Sequence, residues 1–364
     1  MAKNICIGLG NTGNNIIQLI ASNNTLSDTI LYAVDSVASS IKMENVDRVK
    51  YLPILSDDKS GSGRSRERGA EMFKFHKSNG MFDEMFVECM NAKSPVIVIT
   101  SAAGGTGSGA TVPLCAELVK NGIQVIPIIV APNKNDPDAF HLNTKDLFFE
   151  LGEINVETYA VFENRKGDAN YDPINREIVD MIEIIFGKKY DPTDRDSIDD
   201  SDLDVVMTVP GRFIAVSATA ASIPELARDI TRKIFSGFQP AWTKEEADKY
   251  TMVTACSLKS MFADKDFKQV FADVNDRILH SYDEYRHVVV DDNDGICSAS
   301  IIVAGLPRPS IVDIDNDYNA ATSLGEGITK SRRPSFLNNK KASITEVDKN
   351  DGTKERHFSW TAKK

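Results

Sequence analysis

Ser101-Ala102-Ala103-Gly104-Gly105-Thr106-Gly107-Ser108-Gly109 is the stretch whose reading decides the fold of this 364-residue chain. The β-branched run Pro95–Thr100 before it reads as a buried strand, and Ala110–Lys120 after it reads as a helix. Between them lie four glycines in six residues, which leave a ribbon of exposed backbone N–H groups, and Thr106 and Ser108 add hydroxyl donors. A strand-to-helix bend of this kind offers unpaired N–H groups and the positive end of a helix dipole to an anion. The chemistry that fits is the terminal phosphates of a nucleotide. No lysine follows the glycines, and G-x-x-x-x-G-K occurs nowhere in the chain, so this is not a Walker loop.

Toward the N-terminus, Gly8-Leu9-Gly10-Asn11-Thr12-Gly13 forms a second glycine-rich bend, between the strand-like Asn4–Gly8 and the helical Asn14–Ala21. On its own it is the G-x-G-x-x-G pattern of dinucleotide enzymes, and Asp35 follows at the end of the next strand, where a ribose-binding acid would stand. An NAD-dependent Rossmann dehydrogenase is therefore the first rival reading. Two anion cradles on one sheet edge, by contrast, imply one triphosphate held from both sides. Further strand candidates at Thr29–Val34, Gln124–Val130 and Thr158–Phe162 alternate with helical patterns, which predicts an α/β fold with a parallel sheet and crossover helices.

Toward the C-terminus, Ile174, Ile178, Met181, Ile182 and Ile185 recur at helical spacing and predict one long amphipathic helix over Tyr171–Phe186, stopped by Gly187. An acidic loop, Asp191 to Asp204, follows. Strand Phe213–Val216, helix Pro224–Phe235, strand Thr251–Ser257, helix Asp266–Ser281 and strands His287–Val290 and Ser298–Ala304 then predict a smaller second α/β domain. Hydrophobic residues make up 41% of the chain, enough to give each domain a core. No run of about 18 apolar residues occurs, and the chain starts on a strand-like segment, so the expectation is a cytoplasmic protein with no membrane span and no signal peptide. Five scattered cysteines, none in C-x-x-C spacing, predict buried reduced thiols rather than disulfides or a zinc site. The five histidines show no metal or triad spacing. From Gly327 onward ten Lys/Arg stand against four acids, a balance of +6, which leaves -17 on the body of a chain whose total is -11. Such a body is a poor direct ligand for nucleic acid, whereas a basic tail suits an acidic partner or phosphates, or is simply solvated.

These residues carry a resemblance to the tubulin/FtsZ superfamily. Ala103-Gly104-Gly105-Thr106-Gly107-Ser108-Gly109 resembles its G-G-G-T-G-S-G signature with alanine for the first glycine, and Gly10-Asn11-Thr12-Gly13-Asn14-Asn15-Ile16 is similar to tubulin's G-Q-C-G-N-Q-I. The resemblance implies a Rossmann-like GTP-binding domain over 1–170, a central helix and acidic loop over 171–204, a C-terminal α/β domain over 205–311 and a basic tail over 312–364. It implies GTP/GDP with Mg2+ as cofactors, bound by Gly10, Asn11, Thr12, Asn15, Asp35 and the second bend from Ala103 to Ser108. Gly63 and Arg64, in Gly61-Ser62-Gly63-Arg64, resemble the loop facing the γ-phosphate. Glu71 is the candidate for a water-mediated metal contact, or else a plain helix-surface acid. Asn164 falls where the family reads guanine. Tyr171 and Asn175, in a segment that looks like tubulin's Y-x-x-L-N-R, would stack on the base and pair with its edge. Asp138, in Asp136-Pro137-Asp138, is the candidate ribose contact.

Ser197 to Met207 resembles the FtsZ synergy loop N-x-D-x-x-D-V-x-x-V-M, with serine for the asparagine, and puts Asp199 and Asp202 at its two acids. The resemblance implies that these carboxylates act on a neighbouring subunit's γ-phosphate by orienting water and accepting its proton, so that head-to-tail assembly switches on hydrolysis. The short length and basic tail point to the TubZ-type branch that segregates plasmid or phage DNA, which implies a DNA-binding adaptor on the tail as a partner besides the chain itself. The rivals are the dehydrogenase and a filament protein that binds nucleotide without hydrolysing it.

Overall fold

A computed structural model of the chain describes residues 3–36, 46–55, 61–93, 95–133, 135–156, 158–164, 172–186, 205–234, 253–260, 283–290 and 296–306. The chain divides into two units, Met1–Ala321 and Thr322–Lys364, and every described residue lies in the first. Six parallel strands open it: β1 (Ile5–Leu9), β2 (Ile30–Asp35), β3 (Val49–Pro53), β4 (Val96–Ser101), β5 (Val125–Ala131) and β6 (Thr158–Glu163). The helices among them are α1 (Gly10–Ala21), α2 (Arg66–Ser78), α3 (Asp83–Met90), α4 (Thr106–Lys120) and α5 (Asp138–Glu153). After β6 come α6 (Asp172–Ile185), β7 (Gly211–Ala220), α7 (Ile223–Ile234), β8 (Val253–Ser260), β9 (Asp283–Val290) and β10 (Cys297–Leu306). One sheet runs through all of them in the order β3-β2-β1-β4-β5-β6-β7-β10-β8-β9. Only the pairings of β10, with β7 and β8, are antiparallel among the described strands.

Period-two alternation sorts the strand residues onto two covered faces, as a parallel sheet requires. Cys6, Ile97, Ile99, Ile126 and Ile128 pack with Ile16, Ile17 and Ile20 of α1 and the inner stripe of α6. Ile5, Ile7, Leu9, Val96 and Val98 face the other way, onto residues of α2 to α5 such as Phe73, Met85, Leu114 and Leu147. The five α6 residues expected on one face are all buried there. Each fully buried isoleucine of this kind contributes about 1.5–3 kcal/mol. A third cluster joins Leu226, Ile230 and Ile234 of α7 to Ile301, Val303 and Leu306 of β10.

Several expectations shift in detail. Both glycine bends belong to their helices: α1 starts at Gly10 rather than Asn14, and α4 at Thr106 rather than Ala110. Gly10, Gly13, Gly107 and Gly109 thus fall in the first helical turn, whose leading backbone donors have no intrahelical partner, and Gly105 caps α4. β3 joins the sheet beside β2 without having been expected, because Lys50 and Pro53 break its apolar pattern. The expected helix Asp266–Ser281 lies outside the described residues. Cys6, Cys89, Cys115 and Cys297 are buried thiols outside any disulfide among the described residues, and burial pushes the Cys89 and Cys115 thiols up to about 12. Among the described residues no helix is long and apolar enough to cross a membrane.

Candidate nucleotide site

Strand order changes direction between β1 and β4, with β2 and β3 on one side and β5 and β6 on the other. In open α/β sheets ligands bind at the carboxyl ends of the strands at such a switch point. Both glycine bends leave the sheet there, backbone against backbone. A Cβ on Gly107 would lie 2.6 Å from Leu9 O and 2.9 Å from Thr100 Oγ1, so no side chain fits between the start of α4 and the end of β1. Gly104 differs: a Cβ there would meet only Ser101 O, at 3.9 Å.

The resulting cleft holds about 680 Å³, within the range of small-molecule sites. Its polar end is built by Gly10, Asn11, Thr12 and Asn15 of α1, by Asp35 and Ser36 after β2, by Gly61 to Arg64 before α2, and by Ser101 and Ala103 to Gly107. Its other end carries Val130, Pro132 and Ile174, with the amides of Asn164 and Asn175, while the Phe140 ring lies beside Arg64. A phosphate chain suits the first end. A flat base needing an apolar face and an amide for its polar edge suits the second.

Three residues expected at the site stand outside this lining. Ser108 is buried and its hydroxyl donates to Gly104 O, so it shapes the bend from behind. Asp138 is exposed at the first turn of α5, and Asp136, two residues earlier, lines the cleft instead. Asp136 also accepts from Asn133 N at 2.9 Å, which closes the turn that carries it. Glu71 is exposed on α2. Tyr171, Asp199 and Asp202 lie outside the described residues. Conversely, Ser36, Ser62 and Phe140 line the cleft without having been singled out. The only sequence signal for Ser36 is its place directly after the strand-ending Asp35.

Hydroxyls join the polar end together. Thr106 Oγ1 donates to Ser62 Oγ at 2.8 Å and lies 2.7 Å from Ser36 Oγ. With the threonine proton committed to Ser62, Ser36 must be the donor to Thr106, which leaves the Ser62 proton for another acceptor. Asp35 is buried; its carboxylate accepts from Ser36 N at 2.6 Å and Asn14 Nδ2 at 3.4 Å. Burial, and next the Asp35 charge, push the neighbouring Tyr51 hydroxyl above its usual range. Arg66 is turned away from the cleft, donating to both oxygens of Glu150 at 3.1 and 3.0 Å and to Ser108 O at 3.5 Å. Burial raises the Asp146 carboxyl above its ordinary range, with the Arg66 charge opposing.

The start of α6 and the turn that follows the acidic loop lie at opposite ends of the strands. α6 starts in the cleft, at Ile174 and Asn175. Residues 205–208 form a helical turn in which Val206 and Met207 are buried, and Met207 O accepts from Gln124 Nε2 at 3.0 Å, just before β5 begins. Thr158, the first residue of β6, donates to Val209 O at 2.9 Å. Since β5 and β6 begin here and reach the cleft at their other ends, the turn at 205–208 sits on the far edge of the sheet.

No protein-family model matches the chain, and no curated protein sequence does. Solved structures do. CetZ1 from Haloferax volcanii, a GDP-bound monomer, superposes with a TM-score of 0.65 at 18% identity, over 89% of this chain and 99% of that one. TubZ of Bacillus thuringiensis serovar israelensis, in a GTPγS-form protofilament, gives 0.67 at 18% identity over 90% and 93%. An empty FtsZ dimer from M. jannaschii gives 0.62 at 16% identity over 84% and 88%. The chain has the tubulin/FtsZ fold.

Within the tubulin/FtsZ fold the alanine that replaces the signature's first glycine is accommodated without backbone strain. Among the described non-glycine residues only Arg64 and Asn155 have positive φ, so Ala103 occupies a conformation any residue adopts.

Proposed function

We propose that this chain is a GTPase that assembles head-to-tail into filaments and completes its reactive centre between successive subunits. One observation carries the reading: two glycine bends from separate strand-to-helix turns open on a single cleft, pressed together through Gly10 and Gly107. A dinucleotide enzyme needs only the first of them. The N-termini of α1 and α4 supply backbone donors and positive dipole ends for a phosphate chain, and Asn164 and Asn175 supply amides for guanine. Tyr171 belongs to the same reading as the ring that stacks on the base. Magnesium would neutralise phosphate charge, and the Asp35 carboxylate with the Ser62 and Thr106 hydroxyls is a donor set of the hard-oxygen kind that it or its waters take.

Asp199 and Asp202 complete the proposal. The far-edge position of residues 205–208, the described residues next in sequence to the acidic loop, supports it. A heterologous contact of this type yields a filament when it does not close. The +6 balance beyond Gly327 supports a further element, an adaptor that links the filament to plasmid or phage DNA for segregation. Deleting residues 330–364 should abolish adaptor capture while leaving assembly intact.

Sedimentation with GTP, GDP and a slowly hydrolysed GTP analogue, paired with phosphate release, tests the core of the reading. Pelleting with GTP and the analogue, and release that climbs steeply with protein concentration, are expected. A chain that binds NAD and ignores GTP is instead a dehydrogenase. Filaments without phosphate release indicate a binder that does not hydrolyse.

A further inference from the structure

Among the described residues that line the cleft, Arg64 alone carries a positive charge. It also has a φ of +68°, a conformation that residues with a Cβ rarely hold unaided. One helix holds it at both ends. The guanidinium carbon lies 5.2 Å from the centre of the Phe140 ring, a cation–π contact. The Arg64 carbonyl accepts from Asn143 Nδ2 at 3.2 Å. Phe140 and Asn143 are three residues apart on α5 and so share a face. The same Nδ2 donates to Ala103 O at 3.0 Å and Gly104 O at 3.5 Å, which ties the Arg64 turn to the second glycine bend. With carbonyls on all three lines, the amide nitrogen and not its oxygen must face them.

Neither Phe140 nor Asn143 carries a sequence motif. We infer that the pair are positioning residues: they fix Arg64 over the phosphate end of the cleft and thereby set its preference for a guanosine triphosphate over a diphosphate. Backbone N–H groups grip any phosphate in reach, so they discriminate weakly between the two ligands. A lone guanidinium responds to the extra charge of the terminal phosphate, and it does so best when already oriented. The inference rests on the guanosine-nucleotide reading above and deepens it.

The test measures the affinities of the full chain for GTPγS and GDP, below the concentration at which it assembles. Arg64→Ala should lower GTPγS affinity about tenfold relative to GDP, the size expected for one hydrogen bond to a charged group. Asn143→Leu and Phe140→Leu should each move the same ratio in the same direction. The double variant Arg64→Ala/Asn143→Leu should move it no further than Arg64→Ala alone, because both changes remove one element. A loss of packing alone lowers both affinities and leaves the ratio unchanged. Wild-type ratios in Asn143→Leu and Phe140→Leu overturn the positioning role while leaving nucleotide binding intact, and an additive double variant does the same. Failure of the unaltered chain to bind either guanosine phosphate overturns the functional reading itself.

Discussion

Gly104→Ala separates what the glycines do for packing from what they do for a ligand. A Cβ at 104 stands 3.9 Å from Ser101 O, ordinary van der Waals distance, and φ is not positive there. The folded chain accepts the methyl, and the restricted unfolded state adds ~0.4–1 kcal/mol of stability. Gly107→Ala is the control. Its Cβ would lie 2.6 Å from Leu9 O, a main-chain atom that cannot rotate aside, so β1 and α4 must part at a cost of about 1–3 kcal/mol. One kcal/mol moves Tm by roughly 1–2 °C in a chain of this size. Gly104→Ala should therefore melt at or slightly above the wild-type temperature, and Gly107→Ala several degrees below it. Binding should run the other way for Gly104→Ala. The added methyl joins the cleft lining and blocks close approach of a phosphate oxygen to the backbone. Loss of one hydrogen bond to a charged group, ~1.5–3 kcal/mol, corresponds to at least about tenfold in affinity. Thermal melting without nucleotide and titration with a fluorescent GTP analogue, on one preparation, read both quantities. A Gly104→Ala protein that binds like wild type, or that melts as low as Gly107→Ala, refutes the division of roles.

Asp199→Ala or Asp202→Ala should slow phosphate release per polymerised subunit and give longer-lived polymers; unchanged turnover in both would remove the acidic loop from the chemistry. Asn175, buried at the start of α6, should matter for base identity: Asn175→Leu is expected to cut the preference for guanosine over adenosine nucleotides about tenfold, measured by competition. The hydrogen bond from Lys77 holds the Glu117 carboxyl below its usual value near 4.5, so this pair between α2 and α4 stabilises the fold above that pH and stops doing so as pH falls through the depressed folded value. Glu117→Gln should thus cost about 0.5 kcal/mol at neutral pH, and denaturant midpoints of the two proteins should converge in acid. The buried thiols of Cys6, Cys89, Cys115 and Cys297 should react with an aromatic disulfide reagent only as fast as the chain opens; a rapid stoichiometric reaction at those positions would contradict their burial.

Much of the architecture is legible along the chain because it is written in short-range spacing. β-branched runs bounded by glycine or by Asn/Asp-rich turns give β1, β2, β4, β5 and β6, and the isoleucine stripe gives α6. The two glycine bends mark residues of the cleft before any sheet is drawn. β3, α2 and α5 are less legible. Arg66–Ser78 is largely polar, and its helix is seated on α4 through Gly69, where a Cβ would come within 2.4 Å of Gly105 O. That approach exists only once β4 and its bend are in place.

The amino-acid order by itself determined the chemistry on offer: glycine-rich turns that free backbone donors, hydroxyls beside them, amides further on, and a parallel sheet to carry them. Tertiary structure alone decided which of these meet. Ser36, Ser62 and Thr106 come from three separate segments to make one hydroxyl chain, Asp136 and not Asp138 reaches the cleft, and Phe140 and Asn143 close on Arg64 from a helix more than 70 residues downstream. Periodicity and turn chemistry act over a few residues and can be read locally. Convergence at the switch point depends on which strands pair across the sheet, and that is fixed by burial of both faces at once.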